Sequence, residues 1–161
     1  MSVNKYQPHV LVLPEDDANR QVANGFELDP CLSTRKIQVL EVAGGWAEVL
    51  NCFTSDHVAQ MQLYPTRIVV LLIDFDGKEE RLHSAKTRIP QLLSNRVFIF
   101  GAWTEPEDLR KAGLNSYEAI GLALAKDCRE GTDAIWGHKL LRHNVAELNR
   151  FRKTVCPILF R

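Results

Sequence analysis

The chain has 161 residues, with 20 basic side chains against 20 acidic ones and no net charge. That length suits one domain burying roughly two thirds of its unfolded surface, and the charge balance argues against a dedicated duplex-DNA binder, which carries a basic excess. No apolar run reaches transmembrane length, the first residues lack a signal-peptide core, and Cys31, Cys52, Cys128 and Cys156 form no CxxC pair. A cytoplasmic protein with reduced thiols and no membrane partner is expected.

Residues 9–13 form a short apolar strand that Pro14 ends, since proline donates no ladder hydrogen bond. The acidic start of residues 15–25 predicts a helix, with Gly25 as its stop. Residues 27–34 read as loop, and the alternation over 36–42 predicts a second strand. Gly44-Gly45 turn the chain into a helix carrying Trp46, Val49, Leu50 and Phe53, and a further short helix over 55–63 is closed by Pro65. The β-branched run Ile68, Val69, Val70 and Ile73 predicts a strand buried on both faces. Residues 81–93 read as loop passing into helix, and 96–101 as another buried strand. Helices follow over 105–112, with Pro106 in the first turn, and over 116–129, with Ser116 as N-cap and Tyr117, Ile120, Leu124 and Cys128 at helical spacing. Residues 133–152 hold one or two more helices, and 157–160 either dock as an edge strand or simply pack. This order predicts a single α/β domain over 1–161: a three-layer sandwich on a mostly parallel sheet of four or five strands, with a helical C-terminal portion.

Acidic groups follow three of the predicted strands: Glu15, then Asp74 and Asp76, then Glu105 and Glu107. In a parallel sheet these ends share one edge, where open α/β sheets bind ligands. An oxygen-only donor set suits Mg²⁺ or Mn²⁺ and, through it, phosphoryl chemistry. Each carboxylate alone reads equally as a helix cap or a solvated charge. Lys78, Arg81, Lys86 and Arg88 follow the acidic strand and are placed either to contact phosphates or to form a solvated polar segment. No glycine-rich phosphate loop, nucleophile elbow or i, i+4 histidine pair is present.

Glu15 after the first strand and Asp74-Phe75-Asp76 after a later one resemble the Toprim domain of topoisomerases, primases and overcoming-lysogenization-defect-type nucleases, over about residues 8–112. Glu105 or Glu107 looks like the further glutamate of the nuclease branch, and residues 113–161 would be a helical extension. The family's glutamate is followed by glycine, where this chain has Asp16. The resemblance implies Mg²⁺-dependent cleavage or transfer on DNA or RNA. Asp74, Asp76 and Glu105 or Glu107 would be metal ligands, and Glu15 a ligand or general acid/base.

Residues 10–17 also resemble the start of a response-regulator receiver, and Asp74-Phe75-Asp76-Gly77 the nucleophile loop of haloacid-dehalogenase phosphatases. The receiver's Thr or Ser after the fourth strand and the Lys after the fifth are missing, as are the phosphatase's later motifs. A non-catalytic module that binds a protein partner is the remaining alternative. The sequence leaves oligomeric state open.

Overall fold

Strand–helix alternation closes into an all-parallel sheet in the computed structural model, which describes residues 2–160. The strands are β1 (His9–Pro14), β2 (Ile37–Val39), β3 (Arg67–Leu72) and β4 (Val97–Phe100), in the order β2-β1-β3-β4. Val10 pairs with both Ile37 and Ile68, and Val70 with Phe98, which fixes the register across the sheet. The helices are α1 (Asp17–Phe26), α2 (Trp46–Cys52), α3 (Val58–Leu63), α4 (Glu79–Arg88), α5 (Pro106–Lys111), α6 (Tyr117–Glu130), α7 (Val145–Thr154) and α8 (Cys156–Leu159). A π-helical turn, Phe53–His57, joins α2 to α3. Among the described residues, no helix is long and apolar enough to cross a membrane.

Both faces of the sheet are covered, and the strand period of two sorts its side chains between them. Val10 and Val12 of β1, Ile68 and Val70 of β3, and Phe98 and Phe100 of β4 join the core beneath α1, α6, α7 and α8. Leu13, Val69, Leu71, Val97 and Ile99 join a second core with Val49, Leu50, Phe53, Met61 and Ala85 from α2, the π turn, α3 and α4. The strands therefore read as continuous apolar runs, as buried parallel strands must.

Several boundaries differ from the sequence-based expectation. β2 spans only three residues, although Leu40 continues the ladder by donating to Val12 O at 2.8 Å. The segment expected to begin as loop is helical from Glu79, because Glu79 and Glu80 at the first turn and Lys86 and Arg88 at the last complement the helix dipole. Residues 157–160 supply no edge strand: α8 occupies most of them, and Phe160 makes a single antiparallel bridge to Leu32.

Gly25 does not stop α1, which continues to Phe26. It lies where α1 crosses α6. A Cβ on Gly25 would stand 2.0 Å from Glu118 O, and one on Gly121 would stand 1.8 Å from Val22 O. Glycine at both positions lets the two backbones touch, so α6 seats α1 directly.

Among the described residues the outer edge of β4 has no neighbouring strand, yet α7 and the turn before it satisfy it with side chains. Arg150 Nη2 donates to Val97 O (3.0 Å), and Glu147 Oε2 accepts from Ile99 N (2.8 Å). Asn144 accepts from Gly101 N (3.3 Å) and donates to Gly101 O (3.0 Å). Buried backbone groups left unpaired are costly, and these contacts remove that cost.

At the opposite end of the sheet, fully buried His9 bridges β1 and β3. Its Nδ1 lies 2.7 Å from Gln7 O and so carries the proton, while Nε2 accepts from Arg67 Nε at 2.9 Å. Burial and the Arg67 charge hold the imidazole below its ordinary pKa, against the pull of the Gln7 carbonyl. A base depressed by folding takes up its proton more readily when unfolded. The stability it contributes is therefore present above pH 6.5, its unfolded value, and declines as pH falls below that. His9→Gln is expected to cost more at pH 7.5 than at 5.5, by about 1.4 kcal/mol per unit of depression up to the one unit this range spans below pH 6.5. Urea unfolding of both proteins at both pH values measures that difference, and an equal cost at the two would contradict the neutral bridge.

Candidate metal site at the β1–β3 crevice

In the order β2-β1-β3-β4 the chain steps outward from β1 to β2 and then crosses back to β3 and β4 on the other side, so the switch point falls between the carboxyl ends of β1 and β3. The ladder extends past β1, with Glu15 N donating to Leu72 O at 2.9 Å, and then the chain turns into α1. Gly44 and Gly45, both at positive φ (97° and 148°), let the loop after β2 fold back so that their N–H groups reach Glu15 O at 2.9 and 3.2 Å.

Asp16 is the N-cap of α1, its carboxylate accepting from Asn19 N at 3.0 Å. One turn into the helix, the buried Asn19 amide donates to both Asp16 Oδ1 and Asp74 Oδ1, each at 2.9 Å. Glu15 Oε1 accepts from Asp74 N at 3.1 Å. Glu15, Asp16 and Asp74 thus each present an oxygen, all within 4.8 Å of one another. Glu15 and Asp74 are buried (9% and 7% exposed). Among the described residues no Lys, Arg or His forms an ion pair with any of the three.

Gathering carboxylates in one buried place disfavours their charged forms. Burial, with the neighbouring Glu15 and Asp16 charges, pushes Asp74 up to about 7 against the hydrogen bond from Asn19, and burial also raises Glu15. Such a site either holds a proton or takes up a cation. Three hard oxygen donors and a neutral amide fit Mg²⁺ or Mn²⁺ and offer nothing to a soft metal.

The other expected ligands stand apart from this group. Asp74 and Asp76 would point the same way in a continuing strand. However, Phe75 N donates to Ala102 O (3.2 Å), Gly77 N donates to Trp103 O (2.7 Å), and Asp76 adopts φ 52°. That left-handed turn carries the Asp76 carboxylate to the rim, where it is 65% exposed and 3.6 Å from Arg81 Nη2. Glu105 caps α5 without a side-chain hydrogen bond, and Glu107 pairs with Lys111 at 3.6 Å; both are exposed. Their place after β4, one strand beyond the crevice, leaves them outside the triad. Gly101 brings that segment against β3, since a Cβ there would lie 1.6 Å from Ile73 O.

Two members of the site were not legible as such. Asp16 marks the departure from the Toprim pattern, and Asn19 has no place in it. The available signal was their spacing: a capping Asp with an Asn three residues later puts both side chains over one helix end. Arg81 completes the rim. Its Nη1 donates to Asp74 O at 2.8 Å, and its guanidinium lies 5.0 Å from the Trp46 ring centroid.

Compared with protein-family models, curated proteins and solved structures, the chain matches none.

Proposed function

We propose that this chain is a Toprim-like, divalent-metal-dependent phosphodiester enzyme of nuclease type, with its metal held by Glu15, Asp16 and Asp74. The observation that carries the reading is the convergence of three carboxylates within 4.8 Å at the switch point, none of them in an ion pair with a basic side chain among the described residues. A bound Mg²⁺ or Mn²⁺ supplies a Lewis acid for a phosphate oxygen and a more acidic water. Glu15, which accepts from Asp74 N, would serve as a metal ligand or as a general acid/base. Asn19 holds Asp16 and Asp74 in orientation without adding charge. Asp76, Glu105 and Glu107 are exposed outside the triad, as is Lys78, whereas Lys86 and Arg88 lie in the last turn of α4, where Arg88 donates to Asn51 Oδ1 and Thr54 Oγ1. DNA or RNA is the substrate class this implies, and four free thiols suit a reducing, cytoplasmic setting.

Thermal unfolding with and without Mn²⁺ or Mg²⁺ tests the site, because a ligand bound only by the native state raises the melting temperature. At a hundredfold excess over the dissociation constant the gain is about 2.7 kcal/mol. Supercoiled and single-stranded DNA, and RNA, are then assayed for metal-dependent cleavage. No metal shift and no cleavage would overturn the reading. A second reading draws support from the same geometry, since an acidic pair after β1 facing Asp74 after β3 is also the receiver pattern. Covalent phosphorylation of Asp74 by acetyl phosphate, without cleavage, would favour it over the enzyme.

A further inference from the structure

Arg81 stands at the mouth of the acidic crevice, and its guanidinium is held on two sides. Nη1 donates to Asp74 O at 2.8 Å, and the Trp46 ring centroid lies 5.0 Å from the guanidinium carbon. One anchor is thus the backbone of a triad residue. The other begins α2, where the Gly44-Gly45 loop that folds back on Glu15 ends. Among the described residues, Nε and Nη2 of Arg81 make no hydrogen bond, and neither is sealed from solvent.

Asp76 faces those free donors. Its carboxylate lies 3.6 Å from Nη2, too far for a hydrogen bond, and is 65% exposed. Asp76 N donates to Thr104 O at 3.2 Å, which fixes the residue in its left-handed turn. A Cβ on Gly44 or Gly77 would meet nothing within 4 Å, so the chain leaves open space at both points. Exposed ion pairs of this kind are weak, and a better anion displaces them.

We propose that Arg81 is the receptor for the substrate phosphate, and that Asp76 is an internal anion standing opposite it until substrate arrives. This role for Arg81 rests on the reading of Glu15, Asp16 and Asp74 as the metal site, and says how that site takes its substrate. Three carboxylates outweigh the two charges of a divalent ion, so the loaded triad stays net negative and repels a phosphodiester. Arg81, bonded to the backbone of Asp74, offsets that repulsion. Its fixed fork of N–H donors matches two phosphate oxygens, which the point charge of a lysine does not. Asp76 then has a role unlike that of a metal ligand: its charge opposes substrate binding and leaves metal binding alone. Phosphate contacts carry no base information, so the substrate is a nucleic-acid strand held without regard to sequence.

Binding of a fluorescein-labelled oligothymidylate to the whole chain, read by anisotropy with Ca²⁺ in place of Mg²⁺, tests both residues. Ca²⁺ takes the same hard oxygen donors. Arg81→Met should weaken binding about tenfold or more, as loss of a charged hydrogen-bond donor does. It should also flatten the log–log salt slope by about 0.7, the share of one phosphate contact on a single strand. Asp76→Asn should tighten binding about two- to fivefold with the slope unchanged. That gain should vanish when Asp76→Asn is added to Arg81→Met, because it acts through Arg81. Both variants should keep the rise in melting temperature that Mn²⁺ gives the wild type. Wild-type affinity in Arg81→Met, a gain from Asp76→Asn that persists without Arg81, or loss of the metal response in Asp76→Asn would each overturn the proposal. So would failure of the wild type to bind the oligonucleotide. If Arg81→Met does not fold, Asp76→Asn still decides, since unchanged or weaker binding refutes the internal anion. A wild type with neither metal response nor cleavage sinks the metal site itself. A normal metal response, with Arg81→Met binding as the wild type does, sinks only the phosphate receptor.

Discussion

Gly121→Ala is expected to destabilise the protein by about 3–5 kcal/mol, toward the upper end of single-substitution effects. In an ordinary helix interior the same change gains up to about 1 kcal/mol, because alanine is the better helix former. Here the added Cβ would stand 1.8 Å from Val22 O and 2.7 Å from Phe26 N, and both obstacles are backbone. Neither helix can relieve that contact by a rotamer change, so α1 and α6 must separate by more than an ångström. Gly25→Ala meets the same barrier from the other side, at 2.0 Å from Glu118 O. Urea unfolding with an unchanged m-value measures the loss. A stabilised Gly121→Ala would show that the helices do not cross at these glycines. Because α1 carries Asp16 and Asn19, a folded remnant of either variant should also bind metal more weakly.

Asp74→Asn is expected to act in opposite directions on stability and on metal response. Asp74 titrates near 7 in the folded chain against 3.8 unfolded. A carboxyl whose folded pKa is raised binds more protons in the folded state. Its favourable contribution is complete below pH 3.8 and is lost as pH rises through about 7. In metal-free buffer the wild type should therefore lose stability between pH 4 and 7.5, less whatever His9 and its like recover. Asp74→Asn removes this charge while leaving an amide oxygen to accept from Asn19, so above pH 7 it should be more stable than wild type by about 2–4 kcal/mol. It should also lose the rise in melting temperature that Mn²⁺ gives the wild type. A variant that is sturdier without metal and indifferent to it is the signature of a site built at the expense of stability. A less stable Asp74→Asn would mean that the carboxylate is already neutralised by the fold.

Much of this architecture could be read from residue pattern alone. The apolar runs at β1, β3 and β4 announce strands, the β-branched one at β3 a strand buried on both faces, and Ser116 caps α6 by accepting from Ala119 N, as its position predicts. Glu15 and Asp74 were legible as site residues because both end apolar strands. Three things were not legible. Gly25 resembles a helix stop, since its neighbour Gly121 is distant in sequence. Asp76 shares a strand face with Asp74 only if the strand continues, but β3 ends at Leu72 and Asp76 itself is left-handed. The Asn19 fork depends on where α1 sits relative to β3, which α6 decides. Local pattern specifies elements and their ends; the contacts that orient a site are long-range.

The row of Arg150, Glu147 and Asn144 along β4 has a consequence for where the sheet stops. A parallel sheet of this order would ordinarily accept a fifth strand at that edge, and an open edge invites pairing with another chain. Here the position is already taken by a helix whose side chains answer Val97 O, Ile99 N and Gly101 in turn. The C-terminal helices are therefore not an appendage to an α/β core but its missing border. The other margin of the sheet is β2, three residues long, too short to template growth. Four strands make a finished sheet, protected on one flank by side-chain mimicry of a strand and on the other by brevity.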